Sequence, residues 1–239
     1  MNQILKNYLI LFLFSISHAN EKIDKMEEEL REEQRLLHEN QARLQLETYR
    51  RGFKVKRGYQ VAASKSMQFE VKGYAKQYEM TDKVLEKMFM VLKDSKTALI
   101  ESGYTPGDPF PTDMKIQEAL AHVLENTAFF GDILLRLPDI SHQIYKKSKE
   151  NQLIMKWCIS ICNASKVYDK TGHQLLDLIA QELELIPKDE NYINPYKEST
   201  MLEKEFAKQK AEGKSNTPQQ KKKEKKKKKK RGPKLSDEL

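Results

Sequence analysis

The sequence predicts an all-α protein: a bundle of about four to five helices, preceded by an amphipathic helix and followed by a disordered basic tail. Three observations carry that reading. Apolar residues recur at three- and four-residue spacings through most of the body, the period of a helix face. Nine glycines in 239 residues, with few dipeptide turn signals, leave a hairpin-rich β architecture without its turns. Two cysteines exclude a disulfide-built scaffold. With 38% hydrophobic and 33% charged residues and a mean hydropathy of -0.75, the chain can build one modest core and must also carry solvated segments; a polytopic membrane protein is excluded.

The elements follow in order. Residues 1–19 read as a signal peptide: Lys6, an apolar stretch from Tyr8 to Phe14, then Ser17-His18-Ala19, with cleavage expected between Ala19 and Asn20. The apolar stretch is about half the roughly 20 residues a span requires, so no stable membrane insertion is expected. Over residues 20–47, Ile23, Leu30, Leu37 and Leu44 recur every seven positions. Met26 joins them at the companion site, which otherwise holds Glu33, Asn40 and Glu47. A seam half polar predicts a single amphipathic helix or a weak coiled coil.

Residues 48–200 hold the bundle. Tyr74, Tyr78, Thr81, Leu85, Met88, Leu92, Ser95 and Leu99 share one helix face, widened by Phe89. Gly103 and the turn Thr105-Pro106-Gly107-Asp108-Pro109 end that helix. Thr112 or Asp113 caps the next, whose inner face is Ile116, Leu120, Val123, Leu124 and Thr127. Pro138 stops it. A fourth helix, capped by Asp139 or Ser141, carries Ile154, Trp157, Cys158, Ile161 and Cys162. A fifth runs from about Gln174 to Leu185, with Leu175, Leu178, Ile179, Glu182 and Leu183 inward, and ends before Pro187.

The formal charge of +8 suggests nucleic acid until it is sorted by position. Residues 204–239 carry fifteen Lys or Arg against five Asp or Glu, leaving the rest of the chain near neutral. Lys221 to Arg231 is interrupted by Glu224 alone and has no aromatic to stack on a base, so specific nucleic-acid binding is not expected. Such a run stays extended and is attracted to acidic partners; short Lys-rich runs also serve as nuclear-import signals. The last four residues, Ser236-Asp237-Glu238-Leu239, match the K-D-E-L retrieval pattern at three places, so a retrieval receptor is an expected partner. Asn163-Ala164-Ser165 is an N-glycosylation triplet, with Asn163 the expected acceptor. The three signals agree on the lumen of the endoplasmic reticulum.

No motif for catalysis is present: no Gly-rich phosphate loop, no G-x-S-x-G, no H-E-x-x-H. Glu118, His122 and Glu125 share a helix face, but no second ligand set accompanies them, and neither metal nor other cofactor is expected. Cys158 and Cys162 stand four apart, too far for an ordinary intrahelical disulfide, and read as core thiols. Gly131 inside a helix points to close packing or a kink. Phe129 and Phe130, adjacent and about 100° apart around the helix, are the candidate partner-binding residues.

Several strings also resemble the coiled-coil domain-containing protein 134 family: Phe110-Pro111-Thr112-Asp113, His122 through Asp132 (HVLENTAFFGD), Leu135-Arg136-Leu137-Pro138, Phe53-Lys54-Val55-Lys56-Arg57, Met90 through Ser95, Cys162-Asn163, Ala180-Gln181-Glu182-Leu183 and Asn194-Pro195-Tyr196-Lys197. The similarity covers about residues 48 to 200. The acidic segment Glu21 to Glu47, the purer Lys tail and the Ser of the terminal tetrapeptide depart from it. The resemblance implies a non-enzymatic protein without a small-molecule substrate, associated with the lumenal chaperone endoplasmin and with glycoprotein maturation. It also implies two alternatives: secretion, with cytokine-like effects on mitogen-activated kinase signalling, and a nuclear role with transcriptional adaptors through the basic tail.

Overall fold

The computed structural model describes residues 3–202, with side chains from residue 21 onward. The Lys-rich tail and the terminal Ser236, Asp237, Glu238 and Leu239 lie outside the described residues, as do the side chains of Ala19 and Asn20. The described residues form α1 (Gln3–Phe69), α2 (Tyr74–Glu101), α3 (Met114–Arg136), α4 (Pro138–Lys146), α5 (Lys149–Ala164) and α6 (Lys170–Glu182), and residues 198–202 are helical as well. No strand accompanies them among those residues. The all-α bundle is therefore as the sequence predicts.

Helix α1 spans 67 residues, passing without a break from the acidic segment into the bundle. No proline interrupts it, and the isolated Gly52 and Gly58 are tolerated at about 1 kcal/mol each relative to Ala. Its first part is supported mainly by its own surface pairs. Lys25 binds Glu21 at 2.8 Å, Arg31 binds Glu27 at 3.1 Å, and Arg35 binds Glu32 at 2.6 Å and Glu39 at 3.1 Å. Each exposed pair contributes only a few tenths of a kcal/mol.

Helix α3 is the centre. It packs against α1, α2, α4, α5 and α6, and Leu120, Val123, Leu124, Ala128, Phe130, Ile133 and Leu134 are all buried. Asp113 starts it, its Oδ1 accepting from the backbone N–H of Lys115 at 2.9 Å and of Ile116 at 3.1 Å. Against it lies the α2 stripe, with Thr81, Leu85, Met88, Phe89, Leu92, Ser95 and Leu99 all buried. Gly103 and Gly107, at φ 76° and 98°, then turn the chain in a conformation that other residues rarely adopt.

Gly131 lets α6 approach. A Cβ built there would stand 2.3 Å from Ile179 Cδ1, so the missing methyl is what admits the Ile179 side chain. The helix expected across residues 139 to 162 is instead two. Ser148 divides it: its Oγ accepts from Asn151 N–H at 3.2 Å and caps α5, while α4 starts with Pro138 in its first turn. The last helix starts earlier than expected, at Lys170, because Asp169 accepts from Gly172 N–H at 2.8 Å.

Candidate functional site

The two strings FKVKR and ENTAFFGD, far apart in sequence, meet where α1 joins α3. Arg57 donates to both carboxylate oxygens of Asp132, Nη1 to Oδ2 at 2.6 Å and Nη2 to Oδ1 at 3.0 Å, the fork geometry that suits guanidinium and carboxylate. Lys56 pairs with Glu125, which Tyr49 also contacts at 3.4 Å. Gln60 donates to the Glu125 carbonyl at 3.0 Å, Arg136 to Ser64 Oγ at 3.1 Å, and Gln68 to the Arg136 carbonyl at 3.1 Å. This polar ladder fixes the second half of α1 in one register on α3. Phe53 is buried beneath it, edge-on to Tyr168 at 5.2 Å between ring centroids.

Beside the ladder, α1 and α6 diverge and leave a groove of about 1060 Å³. Val61, Val167, Tyr168, Leu175 and Leu178 give it an apolar lining, and Arg50, Arg51 and Lys54 stand along its α1 side. Arg50 is anchored by the Lys166 carbonyl and by Glu47 at 2.9 Å; Arg51 and Lys54 are exposed. A second exposed apolar feature, a stripe of five residues, lies on the same helix. Ile23, Met26, Leu30, Leu37 and Leu44 are 48%, 64%, 54%, 63% and 66% exposed, a level that no folded core would leave on five residues of one face. An apolar groove with a cationic edge and an apolar stripe set among carboxylates are both surfaces suited to other polypeptide.

Phe130 is fully buried, 5.6 Å from Phe89 and 5.9 Å from Tyr145 between ring centroids, so it belongs to the core and offers a partner no surface. Phe129 is half-buried and packs against that core. Asn163 is exposed in the last turn of α5, its Oδ1 3.4 Å from His173 Nδ1. Glu118 and His122 share the α3 face with Glu125, but Glu125 is held by Lys56 and Tyr49; among the described residues no three metal-ligating side chains converge. Cys158 and Cys162 are buried free thiols. Burial pushes both thiols up, Cys162 to about 12, which leaves neither ionised near neutrality.

One cluster carries no sequence motif. Glu182, in the inward stripe of α6, accepts from Tyr192 and lies 2.9 Å from His142 Nε2. Burial works to raise the Glu182 carboxyl, but the hydrogen bonds from His142 and Tyr192 outweigh it and hold the group down at about 2. Next to it, Gln181 exchanges two hydrogen bonds with Asp189, at 2.9 and 3.0 Å. Together they pin the segment after α6 back onto the bundle. The clue was a carboxylate within an apolar stripe, which must find partners when buried.

Comparison with known proteins supplies the remaining observation. A family described as "ERK and JNK pathways, inhibitor" matches residues 19–236. Coiled-coil domain-containing protein 134 of Mus musculus is 40% identical over 153 residues, covering 64% of this chain and 66% of the mouse protein. The protein of that name from Xenopus tropicalis is 40% identical over 156 residues, covering 65% of this chain and 68% of its own. The matched region thus spans about two thirds of each relative. No solved structure matches the chain.

Proposed function

The chain belongs to the ERK and JNK pathways inhibitor family, that of the coiled-coil domain-containing protein 134 proteins, and from that premise we propose a non-enzymatic regulator that binds protein partners in the lumen of the endoplasmic reticulum. The observation that carries the reading is the division of α1. One half is locked into the bundle by paired side chains, while the other presents five exposed apolar residues among carboxylates. Exposed apolar stripes of this kind on an amphipathic helix are recognition surfaces for polypeptide.

The place of action in this reading is supported by three sequence patterns: the signal-peptide pattern of residues 1–19, the Asn163 glycosylation triplet and the Ser236-Asp237-Glu238-Leu239 retrieval pattern. Kinases of the ERK and JNK pathways would then lie across a membrane, and among the described residues no helix is long and apolar enough to cross one. Inhibition from the lumen is therefore indirect: the protein acts on the maturation of a component that signals to those pathways. The chaperone endoplasmin, implied by the family resemblance, is the partner we assign, and the Lys-rich tail would add attraction to any acidic surface on such a partner.

The experiment is expression of the full chain in cells, with the Asn163 glycan and the bound proteins as readouts. The expected result is a glycan that stays sensitive to an enzyme cutting early high-mannose forms, co-precipitation of endoplasmin, and release to the medium when Ser236–Leu239 are deleted. A resistant glycan on protein in the medium would move the site of action outside the cell. An unglycosylated precursor in the nucleus would overturn the lumenal reading.

A further inference from the structure

Helix α1 is charged as a rod with two poles. Residues 21–47 hold nine carboxylates against five cations, whereas residues 48–57 hold Arg50, Arg51, Lys54, Lys56 and Arg57 and no carboxylate. The seven-residue seam of the first half continues without a phase break into the second. After Ile23, Leu30, Leu37 and Leu44 come Arg51 and Gly58; after Met26, Glu33, Asn40 and Glu47 come Lys54 and Val61. Those four continuing residues, Arg51, Lys54, Gly58 and Val61, all line the groove beside α6. At residue 42 the bundle lies on the opposite side of the helix, since Ala42 is buried while Leu37, Asn40 and Leu44 are exposed.

From this we propose that the groove receives the acidic half of α1 from a second copy of the chain, in an antiparallel pairing with its two-fold axis beside residue 42. The inference deepens the protein-binding reading above and rests on it, naming one occupant of that surface. In this register Ile23 faces Val61 of the second copy, Met26 faces Gly58, Leu30 faces Lys54 and Glu33 faces Arg51. Gly58 has nothing within 4 Å of the place where a Cβ would stand, which leaves room for Met26. Leu175 and the exposed Leu178 on α6 form the far wall against the incoming apolar stripe. The pairing is isologous, so it closes as a dimer and buries both acidic halves at once. Arg43 meets its own copy beside the axis, the one like-charged approach, and there it turns to Asn40 as it does within one chain, at 3.4 Å.

The test is the mass of the full chain in solution, purified from the cells that express it, by light scattering and sedimentation. At about 50 µM protein and about 0.05 M salt the expected species has twice the monomer mass, and about 0.5 M salt shifts it toward monomer because the pairing is partly electrostatic. Glu33→Arg and Arg51→Glu each weaken the dimer by about tenfold, and the chain carrying both regains affinity to within about threefold of the original. A chain with Ile23→Cys and Val61→Cys reports the register. These positions are about 57 Å apart along one helix, so only a disulfide between two chains can join them. A covalent dimer under mild oxidation supports the pairing. Monomer mass in low salt, or an effect of the charge reversals that the double exchange fails to reverse, overturns it. Neither failure alters the co-precipitation of a chaperone, by which the underlying reading stands or falls.

Discussion

The two halves of α1 have the same secondary structure and opposite physical support. From Tyr49 to Gln68 the helix is held by partners on α3 and by Lys166, with Phe53 and Met67 buried. From Glu21 to Gln41 every residue is exposed, and the contacts are chiefly surface ion pairs within the helix itself. Tertiary packing supplies most helix stability in proteins, so the first half is only marginally stable as a monomer. The apolar residues on this segment are the surface to which the proposed recognition is assigned.

Substitutions on the two sides of this division should separate cleanly. The largest loss is expected at the bundle centre: Phe130→Ala empties a fully buried ring and should lower unfolding free energy by about 4 kcal/mol in denaturant titration. Acid should act through Glu182, whose carboxyl is depressed from an ordinary 4.5 to about 2 in the folded chain. Its contribution is complete above about pH 4.5 and is lost as pH falls toward about 2, amounting to roughly 3 kcal/mol. Unfolding curves across that window should steepen for the native chain and flatten for Glu182→Gln.

Asp132→Ala leaves Arg57 without its carboxylate. Because the Arg57 side chain keeps 20% of its exposure, water offsets part of the loss, and about 2 kcal/mol is expected by the same titration. Gly131→Ala should cost about 1 to 2 kcal/mol, since Ile179 must give way. Leu30→Ala closes the series. Exposed on the unsupported half, it should change unfolding by less than about 0.5 kcal/mol.

The sequence made legible whatever depends on local period. All seven buried positions of α2 stand on the face its spacing defines, and the Asp113 cap and the Gly131 approach follow from residue type alone. Four things were less legible. Phe129 and Phe130 are chemically identical; position 130 continues the Val123–Thr127 spacing, but the ring contacts with Phe89 and Tyr145 that seal it into the core come from distant parts of the chain. The break at Ser148 competes with a helical pattern that continues through it, and a single cap hydrogen bond decides the outcome. The Arg57–Asp132 and His142–Glu182 pairs join residues 75 and 40 positions apart, a separation that no periodicity encodes. The groove was hidden for the same reason: Leu178 fits the inward stripe of α6, yet 37% of its surface remains open where α1 stands away.

The most direct measurement is amide hydrogen exchange along α1 in dilute, monomeric protein. Amides of residues 22–41 should exchange orders of magnitude faster than those of 49–69, which should approach the protection of the whole bundle. Uniform slow exchange from one end of α1 to the other would contradict a first half that is built to be completed by another protein.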